Sequence, residues 1–356
     1  MSDELILSLL GQVKYPGFSR DIVSFGLVRE TALDEKGKAT VKLEISGNDP
    51  TLPQTLKGSV EEALLENDAV SEVEVGIVVK ASQAQPSGAS DQAGASSPIA
   101  KVKKIVAIAS GKGGVGKSTL AVNMACAFEN LLTANGREGQ VGLMDCDVYG
   151  PSVPLLIGAS GQPEGLSENM IAPIESYGVK LMSMGLLVDE DTPVVWRGPM
   201  VMKTIQQFSA NVEWGELEIL LIDLPPGTGD AQLSLAQTLP LDGVILVTTP
   251  QKAAVDVARR GARMFEKVNV PILGVVENMS YLEDEESGKK SYLFGQGGGS
   301  ETALALKTSF LGEIPLHQEV RMGGDHGTPV VIANPENPAS IAIREATKSL
   351  SGMLGL

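Results

Sequence analysis

Cysteine and histidine are almost missing from this 356-residue chain, with two of each. Cys126 and Cys146 supply neither a disulfide framework nor a zinc-knuckle spacing. His317 and His326, nine residues apart, form no metal motif and read as surface or loop residues. Positive charge is also short: 28 Lys and Arg stand against 44 Asp and Glu, a formal net charge of −16. Binding to nucleic acid needs a field of cations to displace counterions, and binding to anionic membranes needs the same, so this balance argues against both. No apolar run reaches the ~18 residues of a membrane span. The start, Met1-Ser2-Asp3-Glu4, is acidic where a secretory signal would be basic. A soluble, cytoplasmic chain is expected. Its length allows two or three domains, and 43% hydrophobic with 20% charged residues is an ordinary globular composition.

Residues 81–101 hold a Ser/Gly/Ala/Gln tract with almost no bulky apolar side chain. Such a stretch cannot bury enough surface to offset its chain entropy, so it reads as a flexible linker between parts that move independently. Residues 1–80 read as a small α+β domain. A helix carries Leu5, Leu9 and Val13, and strands run over 22–31 and 39–45. Between these strands, Asp34-Glu35-Lys36-Gly37-Lys38 has hairpin chemistry. A helix follows Pro53 with Leu56, Val60, Ala63 and Leu64, and a strand covers 73–79. Residues 102–356 alternate helical segments with apolar strands at 104–109, 141–144, 179–182, 219–222, 244–248 and 272–276. That rhythm predicts an α/β fold with a mainly parallel sheet and helices on both faces.

The strand over 104–109 runs into Gly111-Lys112-Gly113-Gly114-Val115-Gly116-Lys117-Ser118-Thr119, and a helix opens at Ser118. Strand, glycine-rich loop and helix in this order make a phosphate-binding P-loop. Glycines let backbone N–H groups turn toward phosphate oxygens, and the helix N-terminus adds partial positive charge. Lys117 is placed to neutralise the β- and γ-phosphates of ATP, and the Ser118 hydroxyl to reach Mg²⁺. Two acids end apolar strands. Asp145, in Asp145-Cys146-Asp147, and Asp223, closing Leu220-Leu221-Ile222-Asp223, would point into the crevice at the carboxyl edge of the sheet. Asp145 and Asp223 are candidates for the Mg²⁺ shell, and Asp147 for orienting the attacking water. Cys126, about two turns into the P-loop helix, reads as a core residue. Cys146 lies between two carboxylates that would raise its pKa.

The pattern Lys112-Gly113-Gly114-Val115-Gly116-Lys117-Ser118-Thr119 resembles the deviant Walker A motif of the MinD/ParA class of ATPases. Three further stretches are similar to the Mrp/ApbC branch, the iron–sulfur cluster carriers: Val195-Trp196-Arg197-Gly198-Pro199-Met200, Leu224-Pro225-Pro226-Gly227-Thr228-Gly229-Asp230 and Phe294-Gly295-Gln296-Gly297-Gly298-Gly299. Residues 1–80 resemble the small MIP18-like domain often fused ahead of Mrp. The resemblance implies a homodimer in which Lys112 crosses to the partner's nucleotide, and a slow, dimer-dependent hydrolysis. It also gives Asn278, in Glu277-Asn278-Met279-Ser280, the adenine ring, and lays residues 314–325 over the base. Trp196 and Arg197 have no role that the sequence supplies.

Carriers of this kind usually place a Cys-x-x-Cys after Asn-Met-Ser, so that two subunits bridge a [4Fe–4S] cluster to be passed to assembly or recipient proteins. Here residues 281–291 contain no cysteine, and carboxylates are poor substitutes for thiolates at such a cluster. The acidic run reads instead as a solvated hairpin tip. Residues 46–53, where relatives of the small domain often carry a Cys, also lack one. Two other readings stay open: a positioning switch of the MinD/ParA kind, and a non-carrier regulator or adaptor that uses ATP to dimerise. The terminal segment 341–350 carries two basic residues and one acid, so it reads as a core-packing helix and not as a membrane-binding one.

Overall fold

The computed structural model describes residues 2–13, 22–23, 27–33, 37–46, 52–65, 67, 70–80, 98–148, 150–167, 170–187, 198–284 and 286–356. The tract 81–97, the turn residues 34–36, the loop 47–51, Tyr149, and Trp196 with Arg197 lie outside the described residues. The chain divides into two compact units, Met1–Ala93 and Gly94–Leu356.

The first unit runs α1 (Ser2–Leu10), β1 (Val28–Leu33), β2 (Lys38–Ser46), α2 (Leu52–Leu65) and β3 (Glu72–Lys80). Its sheet has the order β1-β2-β3, with β1 antiparallel and β3 parallel to β2. The hairpin chemistry is realised at Gly37, whose φ of 82° no β-carbon-bearing residue adopts cheaply. Ile6 and Leu10 of α1, Leu56, Val60 and Leu64 of α2, and Val41 and Leu43 of β2 form one core. The first strand begins at Val28 and not at Ile22. Ile22 is buried in a turn ahead of it, which explains why an apolar residue there reads as strand.

The second unit opens with β4 (Val102–Ser110), α3 (Lys117–Thr133), β5 (Val141–Asp145) and α4 (Val153–Ile157). Four strands follow, β6 (Gly165–Ser167), β7 (Met170–Ile171), β8 (Ile174–Ser176) and β9 (Val179–Ser183), then α5 (Gly198–Asn211). Next come β10 (Leu217–Asp223), α6 (Asp230–Thr238), β11 (Gly243–Thr248), α7 (Lys252–Lys267) and β12 (Ile272–Glu277). The chain closes through the hairpin β13 (Leu282–Glu283) and β14 (Lys290–Ser291), then α8 (Gly298–Ala305), β15 (Ser309–Glu313), α9 (Gln318–His326), α10 (Val330–Ala333) and α11 (Pro338–Leu354).

Eight strands form the central sheet in the order β15-β12-β11-β4-β10-β5-β9-β8. All neighbours are parallel except β8, which runs against β9. Parallel neighbours need long crossovers, and the amphipathic helices supply them. The strand period of two shows on β4. Val106 and Ile108 enter the cluster with Phe128 of α3 and Ile343 and Leu350 of α11. Ile105, Ala107 and Ala109 enter the opposite cluster with Phe208 of α5 and Phe265 of α7. A sheet covered on both faces buries both registers, so its strands read as apolar runs and not as alternation. The terminal helix α11 buries Ala339, Ile343, Ala346 and Leu350, as a core-packing helix should.

Two details differ from expectation. Pro98–Lys101, inside the expected linker, forms a short 3₁₀ turn whose Ile99 is buried in one cluster with Val102. Residues 309–313 form the edge strand β15, which the sequence hides because Gly312 breaks its apolar run. Among the described residues no helix is long and apolar enough to cross a membrane.

Candidate functional site

β4 is the hinge of the site. It lies between β10 and β11, and α3 carries the chain over to β5, so a crevice opens beyond the carboxyl ends of these strands. The loop leaving β4 lines a cavity of ≈ 210 Å³, formed by residues 112–119 with Ser110, Asp147, Ser152 and Pro226. Gly114 and Gly116 hold φ of 77° and 80° there, which turns the loop backbone into the start of α3. Gly116 also has no space for a side chain: a β-carbon would lie 2.2 Å from Asn278 Nδ2. Gly111 is constrained from behind, since a β-carbon would lie 2.7 Å from the Ala258 backbone nitrogen on α7.

Sheet register assembles the acids. Asp223 of β10 pairs with Asp145 of β5, which pairs in turn with Ser183 of β9. Three adjacent strand ends therefore present Asp223, Asp145 and Ser183 in a row. Ser183 Oγ donates to Asp145 Oδ2 at 2.9 Å, and the Asp147 N–H donates to Asp145 Oδ1 at 3.0 Å. Ser118 Oγ donates to Asp223 Oδ2 at 2.6 Å. Lys117 forms an ion pair with Asp223, and both are buried. Two buried carboxylates thus share one ammonium group. Burial, together with the Asp223 charge, pushes the Asp145 carboxyl up to about 7. Burial also raises Asp223, with Lys117 opposing the shift. A site with this excess of buried negative potential and three hard oxygen donors, Ser118, Asp145 and Asp223, fits a divalent cation such as Mg²⁺.

Lys112 lines the same cavity, with Nζ donating to Gln251 Oε1 at 3.1 Å. Beyond Gly116 and Thr119 a second cavity of ≈ 290 Å³ continues the first. Leu155, Leu156, Met279, Pro315 and Leu316 supply apolar wall, and Asn278, His317 and Arg321 supply polar groups. An apolar slot with a few polar groups suits a flat heteroaromatic base. Asn278 Nδ2 donates to the Val115 carbonyl at 2.8 Å, which ties the slot to the phosphate loop. Met279 sits at φ 55°, a strained conformation for a residue with a β-carbon. Glu277 holds this corner in place: its carboxylate accepts from Ser280 Oγ at 2.6 Å and from the Gly299 N–H at 2.5 Å.

The structure therefore brings Gly111 to Thr119, Asp145, Asp147, Asp223 and Asn278 to one crevice, together with part of the 314–325 segment. Four contributors escaped the sequence. Ser183 is found only through register. Gln251 is found only because β11 ends beside β4. Gln232, buried on α6, donates through Nε2 to the Pro225 carbonyl at 2.5 Å and the Ser110 carbonyl at 3.3 Å, joining the segment after β10 to the P-loop strand. His317 caps α9 with Nδ1 accepting from the Glu319 N–H at 3.2 Å, so it is more than a loop residue.

Neither cysteine presents an accessible thiol. Cys126 is fully buried, its thiol pushed up to about 12 by burial. Cys146 is buried too, and burial with the Asp145 and Asp223 charges raises it well above an ordinary thiol. Residues 282–291 form the expected exposed hairpin. Its tip is closed by Asp284, which accepts from the Ser287 N–H at 2.8 Å and Oγ at 2.6 Å, and Lys290 Nζ stands 3.9 Å from the Tyr281 ring centre. Among the described residues no group of three or more His, Cys, Asp or Glu is arranged to hold a metal ion.

Comparison with known proteins agrees with this geometry. An iron–sulfur cluster carrier protein of Synechocystis is 38% identical over 366 aligned residues, covering 100% of this chain and 99% of its own. An Arabidopsis thaliana iron–sulfur protein required for mitochondrial NADH dehydrogenase is 48% identical, covering 70% of this chain and 78% of its own. Among solved structures, a nucleotide-binding protein from Archaeoglobus fulgidus in complex with ADP matches with a TM-score of 0.58 and 35% identity, over 68% of this chain and 92% of that one. The family model for ParA-type NUBPL iron-transfer P-loop NTPases matches residues 101–351, the whole of the sheet that carries the crevice. With the P-loop, the paired strand-end acids and these relatives in agreement, the chain is a member of that P-loop NTPase family, in its Mrp/ApbC branch.

Proposed function

We propose that this chain binds ATP with Mg²⁺ and hydrolyses it slowly as a homodimer, in the service of iron–sulfur cluster assembly or transfer. The observation that carries the reading is the continuity of a phosphate cradle with an apolar slot across Gly116 and Thr119. A purine nucleotide has this division into charged tail and flat head. In the proposed assignment the backbone of Gly111–Thr119 and Lys117 hold the β- and γ-phosphates, and Asn278 faces adenine. Ser118, Asp145 and Asp223 would hold Mg²⁺, directly or through water. The cation would supply charge neutralisation at the phosphate oxygens. Asp147, half-buried at the cradle, orients the water that attacks the γ-phosphorus. Phosphoryl transfer gives the protein little covalent chemistry to do, so positioning and charge carry the rate. Lys112 is parked on Gln251 within one chain, and in the proposed dimer it leaves Gln251 for the partner's phosphates.

The role in cluster chemistry is supported by the carrier named in Synechocystis and by the family to which the chain belongs. The cargo itself needs another grip, because both cysteines are buried with raised thiols and residues 281–291 offer none. This favours a second form of the reading, an ATP-dependent regulator or adaptor that works beside a cluster-bearing homologue. The proposed organisation is a small domain over 1–80, a linker over 81–101 and the ATPase over 102–356.

Two measurements test the proposal. Single-turnover hydrolysis with Mg²⁺ should fall by about 10²-fold or more in Asp147→Ala while ATP still binds. Equal background rates in both proteins would leave only a nucleotide-dependent adaptor. Anaerobic reconstitution with iron and sulfide should give no stoichiometric, stable cluster. A stable cluster, seen by visible absorption and EPR, would restore the carrier role and refute the ligand argument.

A further inference from the structure

Helix α7 is the exception on an acidic molecule. Its 16 residues carry five basic side chains, Lys252, Arg259, Arg260, Arg263 and Lys267, and two acids, Asp256 and Glu266, on a chain of net charge −16. At about 100° per residue all seven fall on one side of the helix within about 120°. The opposite side is apolar: Ala254, Val255, Ala258, Ala262 and Phe265 are buried. Lys252, Arg260, Arg263 and Lys267 are exposed. The spacing of Asp256 to Arg260 would allow a neutralising i,i+4 pair, as Lys57–Glu61 and Arg321–Asp325 form elsewhere. Among the described residues no ion pair forms on this face of α7, and the buried Arg259 Nε has no hydrogen-bond partner. The five cations span about 22 Å of helix.

The buried side and N-cap of the same helix touch the phosphate loop twice and the segment after β10 once. Gly111 lies against the backbone of Val257 and Ala258, where a β-carbon would come within 2.7 Å. Thr228, after β10, lies against Gly261, with its Cγ2 3.4 Å from where a β-carbon would stand. Gln251, at the N-cap of α7, holds Lys112.

We propose that the outer face of α7 is a docking surface for an acidic segment of a partner protein. Charge complementarity selects this occupant. A polynucleotide or an anionic membrane would extend past α7 and meet a molecule that is negative overall. A short carboxylate strip feels only the local field, because screening limits the reach of surface charge to about 8 Å at physiological ionic strength. Guanidinium groups without intrahelical partners lose no ion pair when carboxylates arrive, and pair with them bidentately. A second consequence rests on the nucleotide reading above. A helix backing Gly111 and holding Lys112 shifts its outer face when the phosphate loop fills, so docking responds to nucleotide.

The test uses the full chain and a fluorescein-labelled 16-residue helical peptide with Glu on one face, read by anisotropy. Its twin with every Glu replaced by Gln is the control. Saturable binding of the acidic peptide is expected, with none for the twin. Affinity should fall at least tenfold in Arg260→Glu/Arg263→Glu/Lys267→Glu and several-fold between 50 and 300 mM salt. That triple variant should gain affinity for the corresponding Lys peptide and keep its basal ATP hydrolysis. Equal peptide affinity in wild type and variant, or no binding at all, overturns the proposal. So does tighter, α7-dependent binding to a single-stranded oligonucleotide or to vesicles containing anionic lipid. A fluorescent ATP analogue titrated into the same samples reports the nucleotide reading separately. Loss of analogue binding with intact peptide binding would remove the nucleotide coupling alone.

Discussion

The strand-end acids close β5 and β10 and the hairpin 282–291 follows β12 of the same sheet, and the two are built in opposite ways. Asp145 and Asp223 are buried and fixed by register on parallel strands; Asp223 pairs with the buried Lys117 of α3 and accepts from Ser118, and Asp145 accepts from Ser183. The hairpin is a pair of two-residue strands whose tip is held by a local turn at Asp284. Chemistry set by charge needs burial and rigid neighbours. An exposed two-stranded ribbon can lose or gain residues at little cost to the fold. This contrast fits a chain that keeps the P-loop and the buried strand-end acids and has no thiol in the hairpin.

The largest way to break the comparison is Lys117→Ala. It removes the ammonium proposed to neutralise the phosphates and leaves two buried carboxylates uncompensated. ATP turnover should fall by about 10³-fold or more, with a lowered melting temperature as well. Turnover within tenfold of wild type would mean that the buried cluster is not the catalytic region.

Asp145→Asn comes next and separates burial from catalysis. The folded-state carboxyl is raised from 3.8 to about 7, so its favourable contribution is fully present below about pH 4 and is lost as pH rises through 7. In EDTA and without nucleotide, wild type should therefore lose stability over that window. The amide oxygen keeps the acceptor for the Asp147 N–H, its NH₂ can donate to Ser183 Oγ in place of the bond that Oδ2 accepts, and it carries no charge. The variant should be more stable at pH 8, by up to about 4 kcal/mol, and the gain should vanish near pH 4. Identical melting curves at pH 8 would show that Asp145 bears no buried charge.

The legibility of these regions differs for a physical reason. Lys117, Ser118 and the two acids stand out because each lies on or beside an apolar strand with its loop chemistry in the next few residues. Ser183, Gln232, Gln251 and His317 come from 38 to 139 residues away from the groups they serve or from ordinary polar stretches. Only strand order and register bring them in, and a linear pattern carries neither. The same limit hid β15, which is an edge strand interrupted by Gly312, and misplaced the start of β1, because a buried turn residue looks like strand. The absence of cysteine from the hairpin was legible at once, since absence requires no geometry.

Smaller effects sharpen the comparison from each side. Asn278→Ala should weaken ATP binding by about tenfold, through the base slot and the lost bond to the Val115 carbonyl, and change single-turnover rate at saturating ATP far less. A loss confined to rate would move Asn278 out of base recognition. The smallest expected effect is at the hairpin tip. Asp284→Ala should leave ATP turnover within twofold, because the hydrogen bonds of Asp284 stay inside the turn. A large loss there would tie the hairpin to the nucleotide site after all.

The row Asp223, Asp145, Ser183 has a consequence for how the molecule proofreads its own folding. Each side chain faces the crevice only if β5, β9 and β10 are aligned to the residue. A one-residue slip of any strand would turn its member of the row to the opposite face while preserving helices, compactness and most backbone bonds. Such a species would pass a circular-dichroism or gel-filtration check. Under the proposed function, turnover per mole of purified protein is thus a gauge of sheet alignment, sensitive to errors that bulk measures of foldedness do not see.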